Sequence, residues 1–151
     1  MNYPGIIKGN RNAISNWLRQ FATFVDPDKR SYKLQESFLG IFRWGESLPL
    51  PKIDYVLVFK QLFAKCEACS IEEYENNDHS YYQVSLVHHK NRRIVVHETK
   101  DRREAFNLGL ELRNSLQTRI KDSASVRGES RWVDTTAIFD KSIRSKTDEQ
   151  Y

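Results

Sequence analysis

The chain has 151 residues, of which 39% are hydrophobic, 12% aromatic and 29% charged, with 24 Lys and Arg against 20 Asp and Glu. This balance specifies a globular domain with a core and excludes both a disordered chain and a strongly basic nucleic-acid arm. Two cysteines are too few for a disulfide framework. No stretch approaches the ~20 apolar residues of a membrane span, and the start "MNYPGIIKGNRN" lacks a secretory signal, so a reducing, cytoplasmic location is expected.

The segment "NAISNWLRQFATFVD" places Ile14, Trp17, Leu18, Phe21, Phe24 and Val25 at the spacing of one helix face. It predicts an amphipathic helix over 12–25, capped by Asn10 or Asn12 and stopped before Pro27. That face packs on the domain or docks a partner through Trp17, Phe21 and Phe24. Its polar side carries few cations, unlike a membrane-surface helix.

Strands are expected at 36–44 and 52–65, with Gly45, Pro49 and Pro51 breaking the connector between them. Along the second, Ile53, Tyr55, Leu57, Phe59 and Phe63 alternate with Val56 and Val58, the pattern of a central strand covered on both faces. The polar, acidic run 66–80 reads as a long loop. Two more strands follow at 81–88 and 92–98. A helix over 102–121 begins at the N-cap Asp101, with Glu104 in capping-box position. Ala105, Leu108, Leu112, Leu116 and Ile120 form its stripe, and Gly109 allows close approach to a sheet. The expected class is thus α+β: an N-terminal helix, at least four antiparallel strands and a C-terminal helix in one domain over 1–122. A loose tail covers 123–151.

The stretch "VHHKNRRIVVHETKDRRE" holds three histidines and six basic side chains. A loop of His89, Lys90 and Asn91 pairs Leu86 with Ile94, Val84 with Val96 and Tyr82 with Glu98, which gathers the apolar groups on one face. Asn91 then takes the left-handed position. His97 falls opposite Gln83 on the outer face, about 20 Å from the His89 level, so the three histidines cannot share a metal ion. No metal site is expected. The cations separate into two patches at opposite ends of the strand, Lys90, Arg92 and Arg93 at one and Lys100, Arg102 and Arg103 at the other. Each is either a solvated face or an anion or nucleic-acid contact.

Cys66 and Cys69 form a lone C-x-x-C without the further ligands of a structural zinc. Tyr55, Phe59, Phe63, Tyr81 and Tyr82 at alternating positions are core aromatics or, if exposed, a base-stacking face. There is no Gly-rich phosphate loop, no G-x-S-x-G elbow and no H-E-x-x-H. No catalytic residue or cofactor is therefore assigned.

The pieces "GESLPLPKIDYVLVFKQ", "YYQVSLVHHKNRRIVVHETKD" and "REAFNLGLELRNSL" resemble small bacterial proteins with a pleckstrin-homology-like sheet closed by a C-terminal helix. The resemblance implies a binding module. Lipid binding is not carried over, because "RWGESLPLPK" offers only Arg43 and Lys52 where that fold uses a basic hairpin. A curved sheet packed on the N-terminal helix in a cystatin-like way is the alternative. The expected function is a non-enzymatic protein-interaction or scaffold module using a sheet edge, the N-terminal helix, or a tail carrying Trp132 and Phe139. The second reading is nucleic-acid or anion binding by the two basic patches, and a redox role for Cys66 and Cys69 is a remote third.

Overall fold

The computed structural model describes residues 5–11, 18–62, 80–124 and 130–133. Nine strands and one helix follow among them: β1 (Ile7–Asn10), β2 (Arg19–Asp26), β3 (Ser31–Phe38), β4 (Phe42–Pro49), β5 (Ile53–Leu62), β6 (Ser80–His88), β7 (Arg92–Thr99), α1 (Arg102–Ser115), β8 (Arg119–Ser123) and β9 (Arg131–Trp132). Strands make up 61% of the described residues and the helix 14%, so the expected α+β class gives way to a mostly β fold.

The first sheet is an antiparallel meander in the order β1-β2-β3-β4. Its β2 occupies the second half of the expected N-terminal helix, while 12–17, including Trp17, lie outside the described residues. The reason is legible in "RQFATFVD", whose aromatic and β-branched residues suit a strand. Phe21, Thr23 and Val25 alternate with Ala22 and Phe24, so a period of two fits as well as the helical one. The "DPDKR" expected to stop a helix turns the β2–β3 hairpin instead: Asp26 accepts the Lys29 N–H (3.0 Å) and Arg30 takes a positive φ of 47°. The expected strand 36–44 is likewise cut by a second hairpin, where Leu39 and Gly40 have φ of 52° and 71°. The strand β4 then runs on through Gly45 to Pro49, which sequence reading assigned to a connector.

The second sheet has the order β7-β6-β5-β8-β9, and β5 is central as expected. Val56 and Val58 are wholly buried on one of its faces, and Leu57 is buried on the other. The helix α1 covers the first face with Ala105, Gly109 and Leu112. A Cβ on Gly109 would lie 2.9 Å from Ile120 Cδ1 and 3.0 Å from Val58 Cγ2, so the glycine does admit the close approach. Asp101 is the N-cap, accepting the Arg103 N–H at 2.8 Å.

The helix ends six residues short of its expected limit. Gln117 takes a left-handed φ of 50°, and Thr118 turns out to bond the Asp54 carbonyl (3.0 Å). Residues 119–123 then pair parallel to β5, with Ile120 beside Val56. Pairing there satisfies backbone groups on the β5 edge as well as those of 119–123.

The core joins both sheets and the helix: Ile7, Val25 and Leu50 meet Val56, Val58, Val84, Leu86, Ile94, Val96, Ala105, Leu112 and Ile120. Each large buried side chain contributes about 1.5–3 kcal/mol relative to exposure. The sheets meet where β1 and β2 lie along β7. There Asn10 N–H donates to His97 Nδ1 and Thr23 Oγ1 to the Val95 carbonyl, both at 2.9 Å.

Candidate functional site

The β6–β7 hairpin has the expected three-residue loop. His89, Lys90 and Asn91 all have positive φ, and Leu86 pairs with Ile94. Beyond that point a bulge between Val84 and Ser85 shifts the pairing by one. Val84 faces His97 and Tyr82 faces Thr99, correcting the expected Val84–Val96 and Tyr82–Glu98 pairs. The bulge turns His97 inward, where it is 7% exposed, instead of onto the outer face.

Acceptance of the Asn10 N–H places the His97 ring hydrogen on Nε2. Glu104 Oε1 lies 3.3 Å from Nε2, too poorly aligned for a formed hydrogen bond, so the contact is electrostatic. Glu104 also accepts from Thr99 Oγ1, replacing the expected capping-box bond. This knot ties β1, β7 and α1 together. Among the described residues no three His, Cys, Asp or Glu side chains are grouped as for a metal ion, and Cys66 and Cys69 lie outside them.

The two basic patches stand at opposite ends of β7, Lys90, Arg92 and Arg93 at its start and Lys100, Arg102 and Arg103 at the start of α1. The helix-start group is mixed with Asp101 and Glu104, and Arg102 lies 5.1 Å from the Phe106 ring. The hairpin group joins a larger surface on the outer face of the second sheet. One register row there is Tyr55, Val87, Arg93 and Arg119, and the next is Leu57, Ser85, Val95 and Lys121, with Trp132 opposite Lys121. Tyr55 and Trp132 stack edge to face with centroids 5.3 Å apart. The Arg119 guanidinium lies 4.0 Å over the indole, and Lys121 Nζ lies 5.5 Å from it and 5.8 Å from the Tyr55 ring. Arg93 reaches across to the Phe59 ring at 5.3 Å. The Tyr55 hydroxyl donates to Asn91 Oδ1 (3.5 Å), which places the hairpin loop beside this cluster. The loop's electrostatics agree: burial, then the charges of His89 and Arg92, holds the His88 ring below its ordinary pKa against a smaller opposing pull from Asp54.

Sequence reading missed Arg119 and Lys121 because it put them in a helix, where residues two apart point in different directions. In a strand they share a face. The alternation in "TRIKDS" is the signal that carries them.

The first sheet presents a different surface. Its strand β4 has β3 on one side and, among the described residues, nothing on the other. The hairpin tip and edge expose Ile41 (76%), Phe42 (62%), Trp44 (49%) and Leu39 (44%), with Leu18 adjacent through its carbonyl bond to the Leu39 N–H (2.9 Å). Phe21 shares the inner-face row of Glu36 and Trp44, whereas Phe24 points to the outer face beside Lys33. The docking trio expected on one helix face is therefore split, and Phe139 lies outside the described residues. On the outer face Lys8, Asn10, Gln20, Gln35, Ser37 and Arg43 line a shallow concavity of about 180 Å³. No helix among the described residues is long and apolar enough to cross a membrane. Compared with known proteins, the chain matches no protein-family model, no curated protein and no solved structure.

Proposed function

We propose that the protein is a non-enzymatic protein-interaction module, of the pleckstrin-homology-like type its sequence pattern resembles, that adds a partner's extended strand to the edge of β4 left unpaired among the described residues. The carrying observation is that edge: Phe42 and Trp44 are exposed side by side at alternate positions, next to Ile41 and Leu39 at the tip. An apolar strand edge left in water attracts another strand, whose backbone supplies affinity while side chains on alternate faces supply specificity.

The two faces state the partner's chemistry. The inner row needs apolar residues against Phe42 and Trp44. The outer face holds Lys8, Lys33 and Arg43, with Asp26 engaged by Lys29 (3.8 Å), so it favours acidic residues on the partner's other side. The test is binding of a purified partner, recovered by affinity capture, to the wild type and to an Ile41→Asp, Phe42→Glu double variant. The variant should keep its circular dichroism and bind at least about tenfold more weakly, since buried hot-spot residues are each worth ~2 kcal/mol or more. Wild-type binding by the folded variant refutes the reading, as does a concentration-dependent homodimer that the variant abolishes.

A further inference from the structure

We propose that the outer face of the second sheet binds single-stranded nucleic acid, with bases stacking on Trp132 and Tyr55 and phosphates held by Arg93, Arg119 and Lys121. This goes beyond the protein-interaction reading and uses the other sheet. Three observations carry it. First, the rings and cations interleave: Trp132, 46% exposed, lies within 4.0 Å of the Arg119 guanidinium and 5.5 Å of Lys121 Nζ. The Arg119 guanidinium covers one face of the indole, so a base stacks on the opposite face and brings its phosphate beside a fixed positive charge, as in sheet platforms that bind single strands.

Second, the rows Tyr55–Val87–Arg93–Arg119 and Leu57–Ser85–Val95–Lys121 contain no carboxylate. Among the described residues, Glu98 is one row further on and accepts from Gln83 Nε2 at 2.7 Å, while Asp54, next to Tyr55, exerts only the smaller opposing pull on His88. Asp122 is buried on the opposite face and faces Arg131 at 3.6 Å. Third, the hairpin loop with Lys90 and Arg92 sits at the same end, docked through Tyr55 and Asn91, and extends the positive field past the rings. The middle of the face, at Leu57, Ser85 and Val87, is buried, so the stacking rings are those at its Tyr55–Trp132 end, and stacking there requires unpaired bases, which excludes a duplex as the preferred ligand.

The experiment is fluorescence anisotropy of the full chain with a labelled oligothymidylate across a salt series starting at about 50 mM, with a duplex, inorganic polyphosphate and polyglutamate as competitors. Three phosphate contacts on a single strand predict a slope of log K against log salt of about −2. Trp132→Ala should weaken binding about tenfold or more. Arg119→Ala with Lys121→Ala should weaken it and flatten the slope by about 1.4. Lys100→Ala with Arg103→Ala, at the far end of β7, should change nothing. Circular dichroism and urea midpoints confirm that each variant is folded. Absence of binding at the lowest salt overturns the proposal, and so does a folded Trp132→Ala protein that binds like wild type. A duplex, polyphosphate or polyglutamate that competes as well as the single strand also overturns it, because charge alone would then explain the affinity.

Discussion

Gly9→Ala is the sharpest test of how the two sheets are joined. A Cβ at this position of β1 would lie 2.1 Å from the Val96 carbonyl oxygen and 2.7 Å from its carbon, both backbone atoms of β7. Ordinary carbon–oxygen contact is about 3.3 Å, so the strands must separate by about 1 Å. That movement loosens the Asn10–His97 and Thr23–Val95 hydrogen bonds, both 2.9 Å long. Each is worth about 1 kcal/mol net, and overpacking adds about 1–3 kcal/mol, giving an expected loss of about 3–5 kcal/mol. For a chain of this size that lowers Tm by about 6–20 °C. Gly109→Ala is the comparison. Its closest conflict is with Ile120 Cδ1, the far end of a side chain that can turn aside, Val58 Cγ2 at 3.0 Å has to give by only a few tenths of an ångström, and alanine favours a helix by about 1 kcal/mol. Urea unfolding followed by tryptophan fluorescence should place Gly109→Ala within about 1 kcal/mol of wild type and Gly9→Ala far below it. Equal midpoints for Gly9→Ala and wild type refute the contact between β1 and β7.

Three further outcomes are expected. His97→Leu leaves the Asn10 N–H without its acceptor and should cost about 1–3 kcal/mol in the same urea assay, whereas a surface histidine would cost nothing measurable. Because His88 is held below its ordinary pKa, the unfolded chain takes up its proton first as pH falls. Its contribution to stability is complete above the ordinary histidine range and lost through it on acidification. The NMR titration of its ring should have a midpoint below that of a free histidine, and His88→Gln should flatten the pH dependence. Burial, with the charge of Glu98 behind it, raises the Tyr81 hydroxyl above the usual tyrosine value. Its phenolate absorbance should appear at higher pH than that of an exposed tyrosine. Glu98→Gln should lower the midpoint only in part, because burial is the larger cause.

Features decided by neighbours in the chain were legible from the residues alone. The loop at His89–Asn91 and the Leu86–Ile94 pair follow from where the apolar residues fall on either side of a turn. Asp101 caps its helix within one turn of itself, and the two-sided apolar pattern of 53–59 marks a central strand wherever its partners come from. Even the separation of the cations into two groups needed only the length of β7. Of the candidate site, Tyr55, Arg93 and Trp132 were among the singled-out residues, but nothing local linked them.

Tertiary structure decided the segments whose pattern satisfied two periods at once. Residues 19–26 and 119–123 suit a helix or a strand by their apolar spacing, and each became a strand because an edge offered its backbone partners, β3 across the following hairpin for one and the distant β5 for the other. That second choice turned Arg119 and Lys121 onto one face and brought them to Tyr55 and Trp132. The bulge that sends His97 inward belongs to the same class. Its acceptor role depends on Asn10, 87 residues away, and a hydrogen bond of that reach leaves no trace in the local pattern.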